Sequence, residues 1–244
     1  MRIPVTKYGL PQAVVFPAII IVAMAVCLLA GVRFLPGWVI YLIEIIFVVA
    51  LIFCLSFFRD PYRRVVADKN ILLAPADGRV TDIELVEANE FIGGRALRVG
   101  IFLSIFDVHI NRAPCDVRVE KITYRKGRYK DARNPQAGCI NESNNLAMVR
   151  TESPYDKLVV RQISGAIARR IVCAAREGQE LSGGQRFGMI KFGSRTELYV
   201  PAREEVKGPP SEEKSVWEPK CVVKIGDKVK AGLSVLVRYE RCPD

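Results

Sequence analysis

The sequence predicts a mainly β domain of barrel-sandwich hybrid-like form, duplicated or interlocked, behind an N-terminal transmembrane helical hairpin. Three observations carry this. Two long apolar runs occupy residues 1–58, and short runs rich in Val, Ile and Leu, broken by glycine and charged turns, fill residues 59–244. Two glycine-bearing segments in the second region also share one strand-turn-strand pattern.

The apolar runs extend over residues 13–30 and 38–58, the second interrupted only by Glu44. Each suffices to cross a hydrocarbon core of about 30 Å, which takes about 20 helical residues. The connection 31–37, with a glycine at each end, Arg33 and Pro36, suits a tight turn, so both outer ends lie on one side. A second run follows the first at once without a small-residue cleavage pattern, which reads as an anchor and not a removed leader. Arg2, Lys7, Arg59, Arg63 and Arg64 flank the spans against Arg33 alone in the turn; the positive-inside rule then puts the globular part on the cytosolic face of the cytoplasmic membrane. Pro17 introduces a kink, and a re-entrant hairpin is the alternative to a spanning one. Glu44 lies near enough to the turn to snorkel, protonate or meet Arg33.

The net charge of +10 favours an acidic partner, and beside apolar spans anionic lipid is a simpler partner than nucleic acid. The basic stretch 118–133, with Tyr124 and Tyr129, reads in the same way as a solvated hairpin facing a membrane. Seven cysteines, at 27, 54, 115, 139, 173, 221 and 242, form no CxxC pair; they suggest reduced thiols and neither a disulfide framework nor a metal site.

Within residues 59–244 the segments LLAPADGRVTDIEL and KIGDKVKAGLSVL resemble the strand-turn-strand units of lipoyl and biotinyl carriers, Gly226-Asp227 and Gly232 supplying turns that need positive φ. GAIARRIVCAAREG alone has helical spacing and a glycine stop. Gly183, Gly184 and Gly188 lack the Lys-Ser/Thr of a phosphate loop and read as turn formers.

His109, in IFDVHINRAP, is the only histidine and so the one side chain suited by its ordinary pKa to proton transfer near neutrality. With Asp77 in APADGRV and Ser194 in KFGSRTELYVP it completes the ingredients of an activated nucleophile. From about Asn70 to the C-terminus the chain resembles the phosphatidylserine decarboxylases of the short, membrane-anchored type, through APADGRV, FLSIFDVHINRAP, QISGAIARRIV and GGQRFGMIKFGSRTELYVP. The resemblance implies self-cleavage at Gly193-Ser194 into a β chain (1–193) and an α chain (194–244) whose Ser194 becomes a covalent pyruvoyl cofactor. It further implies that His109 and Asp77 serve as the base for cleavage, that the pyruvoyl group forms a Schiff base with the lipid amine, and that His109 moves protons during decarboxylation to phosphatidylethanolamine. Membrane and phospholipid are the implied partners, with no nucleic acid and with a homo-oligomer left open. The chain departs from the family at Asn141-Glu142-Ser143-Asn144 and Gln162-Ile163-Ser164-Gly165, and reads Gly-Ser-Arg where longer members have Gly-Ser-Thr or Gly-Ser-Ser. Decarboxylation of a related lipid such as archaetidylserine is one alternative. A non-enzymatic membrane-anchored adaptor is another, weakened as a carrier because Gly226-Asp227 stands where a modifiable lysine would be.

Overall fold

The computed structural model describes residues 5–66, 68–89, 91–134, 137–166, 170–191, 193–202 and 217–241. They form two compact units, residues 1–62 and 63–244; composition alone puts the division at 58/59.

In the first unit a single 3-10 turn (Lys7–Gly9) leads into α1 (Leu10–Phe34), which packs on α2 (Gly37–Phe57). Both helices are long and apolar enough to cross a membrane. Their large side chains point outward, Leu29 being 82% and Trp38 67% exposed, an arrangement suited to a hydrocarbon solvent and costly in water. The connection is shorter than glycine placement predicts: the Leu35 N–H donates to Gly31 O at 2.8 Å, so 31–34 stay helical. Gly31 serves helix contact instead of the turn, since a Cβ there would lie 3.3 Å from Ile40 Cγ1. The Thr6 N–H donates to Phe58 O at 2.9 Å, which joins the two outer ends of the hairpin. Glu44 Oε1 is buried without a hydrogen-bond partner among the described residues.

The second unit is built from β1 (Ile71–Leu73), β2 (Gly78–Asn89), β3 (Gly94–Leu103), β4 (Ile110–Arg112), β5 (Val117–Arg125), the short α3 (Ala137–Ile140), β6 (Ser143–Arg150) and β7 (Lys157–Ile163). It continues with β8 (Arg170–Cys173), β9 (Glu180–Leu181), β10 (Arg186–Lys191), β11 (Ser194–Pro201), β12 (Trp217–Cys221), β13 (Lys228–Val229) and β14 (Val235–Arg241). A curled eight-stranded sheet runs β13-β2-β3-β11-β7-β6-β5-β9, joined by the three-stranded sheets β1-β14-β12 and β4-β10-β8. Leu72, Ile101, Val119, Leu146 and Leu198 are buried in one core cluster. The alternation of β5, where Val117 and Val119 are buried and Arg118 and Glu120 exposed, is the period-two pattern expected of a strand with one face inward.

The two carrier-like segments interlock. β13 pairs with β2, Val229 opposite Gly78, and β1 pairs with β14. Gly78 has φ +145° and a Cβ there would lie 2.1 Å from Phe102 O, so no other residue fits. These pairings establish exchange between the segments, not a duplicated unit. The helical reading of GAIARRIVCAAREG is corrected where it can be seen: Arg170–Cys173 is strand β8, antiparallel to Gly188–Lys191 of β10. Sheet pairing outweighs a local helical period in a segment this short; residues 167–169 lie outside the described ones. Gly184, at φ +72°, occupies the turn between β9 and β10. The stretch 118–133 is partly consumed internally, Arg125 donating to Gly138 O at 3.0 Å and Arg133 pairing with Asp131 at 2.6 Å.

β11 is hydrogen-bonded on both sides, to β3 and to β7. One of its faces carries a buried ionic network. Fully buried Arg195 grips both carboxylate oxygens of Asp82 at 2.6 and 2.7 Å and reaches Glu197 at 2.8 Å, while the Tyr199 hydroxyl donates to Glu197 at 2.6 Å. Burial opposes the charged form of Arg195, but Glu197 and Asp82 outweigh it and raise its pKa. Burial and Glu197 together push the Tyr199 phenol well above its usual range. Removing one member of such a pair strands the other, so Asp82→Ala is expected to lower unfolding free energy by about 3–5 kcal/mol, measured by urea denaturation in detergent.

Candidate active site

The loop after β3 and the start of β4 set the position of His109. Ser104 and Asp107 close a turn, the Ser104 N–H donating to Asp107 Oδ2 and the Asp107 N–H to Ser104 O, each at 2.9 Å. The His109 ring, fully buried, has Nδ1 2.9 Å from the Asp107 carbonyl and Nε2 3.3 Å from the Gly193 N–H. Because Nε2 accepts from an amide, the proton is assigned to Nδ1, which donates to Asp107 O. The unprotonated Nε2 therefore faces the residue before Ser194.

Gly193 stands at φ +61°, in the left-handed region that favours glycine. A Cβ there would meet only Ile105 Cγ2, at 3.9 Å, so the requirement is conformational and not spatial. The carbonyl of the same residue lies over Gly165, where a Cβ would come within 2.1 Å of Gly193 O. The Gly193-Ser194 region is thus held from two directions, by the imidazole at the Gly193 N–H and by the bare Cα of Gly165 at the carbonyl. Ser194 opens β11 opposite Leu103, and its hydroxyl is buried without a hydrogen-bond partner among the described residues. A buried hydroxyl left unpaired is costly, and such groups occur where a reactive atom is kept free.

Asp77 has other partners. Its carboxylate takes a two-pronged bond from Arg63, at 2.6 and 2.7 Å, and the Ala231 N–H at 2.8 Å. Arg63, counted from sequence among the cations beside the second span, has a side chain only 5% exposed and serves this contact. Asp77 meets the strand of His109 through its loop, since Pro75 O accepts the Arg112 N–H at 3.0 Å. The structure therefore joins His109 to Gly193-Ser194 and ties Asp77 to Arg63 and the C-terminal segment.

Asn144 and Gln162, marked in the sequence only as departures from the family, belong with Asn111 and Thr196 to a row of polar side chains beside the site. Asn111, two residues after His109, donates to Thr196 Oγ1 at 3.0 Å, and Thr196 is two residues after Ser194. Gln162 Nε2 donates to Asn111 Oδ1 at 2.9 Å, and Asn144 Nδ2 to Gln162 Oε1 at 3.1 Å. Asn111, Gln162 and Thr196 are fully buried. Period-two alternation from Ser194 would have put Thr196 on the same face; nothing local marks Gln162 as its neighbour. Lys191, two residues before Gly193, is paired across strands with Arg170; burial and that guanidinium hold it below the usual lysine range. Among the described residues no group of His, Cys, Asp and Glu is arranged to hold a metal ion.

The sequence model of the phosphatidylserine decarboxylase family matches residues 50–237. The chain belongs to the phosphatidylserine decarboxylase family. Relatives named phosphatidylserine decarboxylase proenzyme include that of Nitrosomonas europaea, 40% identical over 217 residues that cover 89% of this chain and 90% of the relative. That of Desulfotalea psychrophila is 38% identical over 195 residues, covering 80% and 83%. The Rhodopirellula baltica protein is 34% identical over 239 residues, covering 98% and 90%. The family is one of decarboxylases made as proenzymes, which the names of these relatives state.

Thr196→Val removes the shorter of the two hydrogen bonds of Asn111 Nδ2, leaving the one to Pro75 O at 3.4 Å, and is expected to cost about 0.5–1.5 kcal/mol of stability, with Thr196→Ser restoring most of it; thermal unfolding of the two variants checks this. Gly165→Ala is expected to displace the Gly193 carbonyl and slow any conversion of the precursor by tenfold or more, about 1.4 kcal/mol, followed over time by gel electrophoresis.

Proposed function

We propose that this protein is a pyruvoyl-dependent decarboxylase that converts phosphatidylserine to phosphatidylethanolamine after cutting its own chain between Gly193 and Ser194. The observation that carries the reading is the buried, unpartnered Ser194 hydroxyl beside a glycine peptide that His109 Nε2 engages. Ser194 Oγ attacks the Gly193 carbonyl carbon as His109 takes its proton; the C–N bond breaks, the proton passes to the released amine, and an ester replaces the amide. Loss of the Ser194 Cα proton expels the Gly193 carboxylate, and hydrolysis of the remaining enamine releases ammonia and leaves a pyruvoyl end on 194–244. Such a group supplies a carbonyl that draws electrons from a carbon losing CO₂. Glycine at 193 suits the first step because its left-handed backbone exposes the carbonyl without Cβ strain.

His109, anchored through Nδ1 on the Asp107 carbonyl, turns Nε2 toward Gly193, the position from which it would protonate the product carbon. Asp77 acts through position in this reading: by holding Arg63 and Ala231 it steadies the 74–77 loop against β4. Lys191 and Arg170 place two cations opposite one another, an arrangement that favours an anionic group between them; the substrate phosphate or carboxylate fits that role. The two products stay together because β11 is paired on both sides and β13 and β14 are interleaved with β2 and β1. The apolar hairpin holds the enzyme at the lipid surface, with the catalytic unit on the cytosolic side by the positive-inside rule. Confinement there raises the effective concentration of a lipid substrate.

Intact mass spectrometry of the purified protein should find fragments 1–193 and 194–244, the smaller without a free amine. Ser194→Ala and His109→Ala should each leave one chain of 27.3 kDa; efficient cleavage of either variant would sink the assignment. Lys191→Met should raise KM for phosphatidylserine by about tenfold, the scale of one lost charge-assisted hydrogen bond, with a smaller change in kcat, measured by release of CO₂ from carboxyl-labelled lipid.

A further inference from the structure

Register along the curled sheet gathers the reaction centre and several loops at one end. Ser194 lies opposite Leu103, Arg195 opposite Ile163, Ile163 opposite Ser143 and Ser143 opposite Arg125, while Arg79 lies opposite Phe102. Strands β3, β5 and β7 therefore run out, and β2, β6 and β11 begin, at this end. Two of the loops that leave it meet at Gly193. Ile105 Cγ2, in the loop after β3, would lie 3.9 Å from a Cβ on Gly193; Ala132 Cβ, in the segment after β5, would lie 3.3 Å from a Cβ on Gly165, whose bare Cα is under the Gly193 carbonyl. That segment is tied toward the site by Asn141, which accepts the Lys130 N–H through Oδ1 at 2.9 Å and donates through Nδ2 to Ser164 O at 2.8 Å.

The same two loops carry an exposed apolar and basic surface. Phe106, beside Ile105, is 69% exposed, Tyr129 is 43% exposed, and Lys126, Arg128 and Lys130 are exposed cations. The carboxylates there are engaged: Asp107 accepts the Ser104 N–H, Asp131 pairs with Arg133, and Glu142 accepts the Tyr124 hydroxyl. The turn at the far end of β6 and β7, residues 151–156, instead holds Glu152 and Asp156 and no Lys or Arg. Arg63, which Asp77 holds immediately before β2, follows α2 by residues 58–62 alone.

An aromatic ring held outward at the tip of a closed turn is costly in water and favoured at the boundary of headgroups and acyl chains, where tyrosines also settle, and Lys and Arg beside it are drawn to anionic headgroups. We propose that this end of the catalytic unit is itself a contact surface for an anionic bilayer, Phe106 entering the headgroup-acyl boundary and Lys126, Arg128 and Lys130 resting on anionic headgroups. The reaction centre then opens directly onto lipid. The benefit to catalysis rests on the phosphatidylserine reading above, whereas the contact does not.

Tryptophan fluorescence of the full-length chain in vesicles tests this. Phe106→Trp is combined with Trp38→Phe and Trp217→Phe, which leaves one indole, and with Ser194→Ala, so that docking and self-cleavage fail separately. In phosphatidylcholine vesicles with brominated acyl chains the Phe106→Trp indole should lose emission and shift to the blue, more so when phosphatidylglycerol is added. The same probe as Tyr155→Trp, exposed at the far end about 20 Å along β7, should do neither. Lys126→Gln, Arg128→Gln and Lys130→Gln together should reduce the quenching with phosphatidylglycerol to the level seen without it. With Ser194 intact, the same triple substitution should slow CO₂ release from phosphatidylserine in those vesicles by about fivefold or more, the scale of one basic residue at an anionic surface, while fragments 1–193 and 194–244 still form. Quenching absent at position 106, equal at 106 and 155, or untouched by both phosphatidylglycerol and the triple substitution would overturn the proposal, as would single-stranded RNA held through these cations by a chain that shows no quenching.

Discussion

The organisation of the catalytic unit rests on one strand. β11 begins at Ser194 and is paired with β3 through Pro201 and with β7 through Tyr199. Backbone hydrogen bonds on both sides fix its position along the sheet, because a slip of one residue would turn every side chain to the opposite face. The residue immediately before that strand lies outside this constraint, and there the backbone swings to φ +61° at Gly193. A strand paired on both sides and a residue with left-handed backbone therefore meet at the Gly193-Ser194 junction. The same pairing explains how residues 194–244 can stay in the fold after the proposed scission: the new end of the chain is already a central strand.

The two faces of β11 do different work with different physics. Arg195 and Glu197 lie on one face among charges that satisfy one another, an arrangement whose value lies less in net energy than in the penalty for any other register. Ser194, Thr196 and Leu198 lie on the other. There Thr196 is joined through Asn111 to Gln162 and Asn144, neutral amides that form a continuous hydrogen-bonded row without bringing further charge near His109. Asn111 follows His109 and Thr196 follows Ser194 by the same two residues, so their side-chain bond links the two segments that carry the site.

Asp77 is a different kind of contributor. Its carboxylate gathers Arg63, just beyond the apolar hairpin in sequence, and Ala231, near the C-terminus. Three distant stretches of chain thus depend on one carboxylate, and the loop it steadies lies against β4 through Pro75. A residue type read from sequence as a possible proton-relay partner can matter through architecture.

Much of this was legible in the chain itself. Apolar runs of membrane-spanning length, the solitary histidine and the glycine before Ser194 are local properties, because hydropathy, imidazole chemistry and a left-handed φ each act within a residue or a few. Period-two burial along β5 is local in the same sense. The local rule failed at Arg170–Cys173, where partner strand β10 overrode a helical spacing, and at Gly31, whose carbonyl accepts the Leu35 N–H so that the helix runs on through Phe34. Only the tertiary structure decided which groups meet: Gly165 under the Gly193 carbonyl, Asn111 on Thr196 and Arg63 on Asp77. Those pairs are separated by up to 85 residues, and their meeting depends on sheet register and loop closure, which no window of sequence contains.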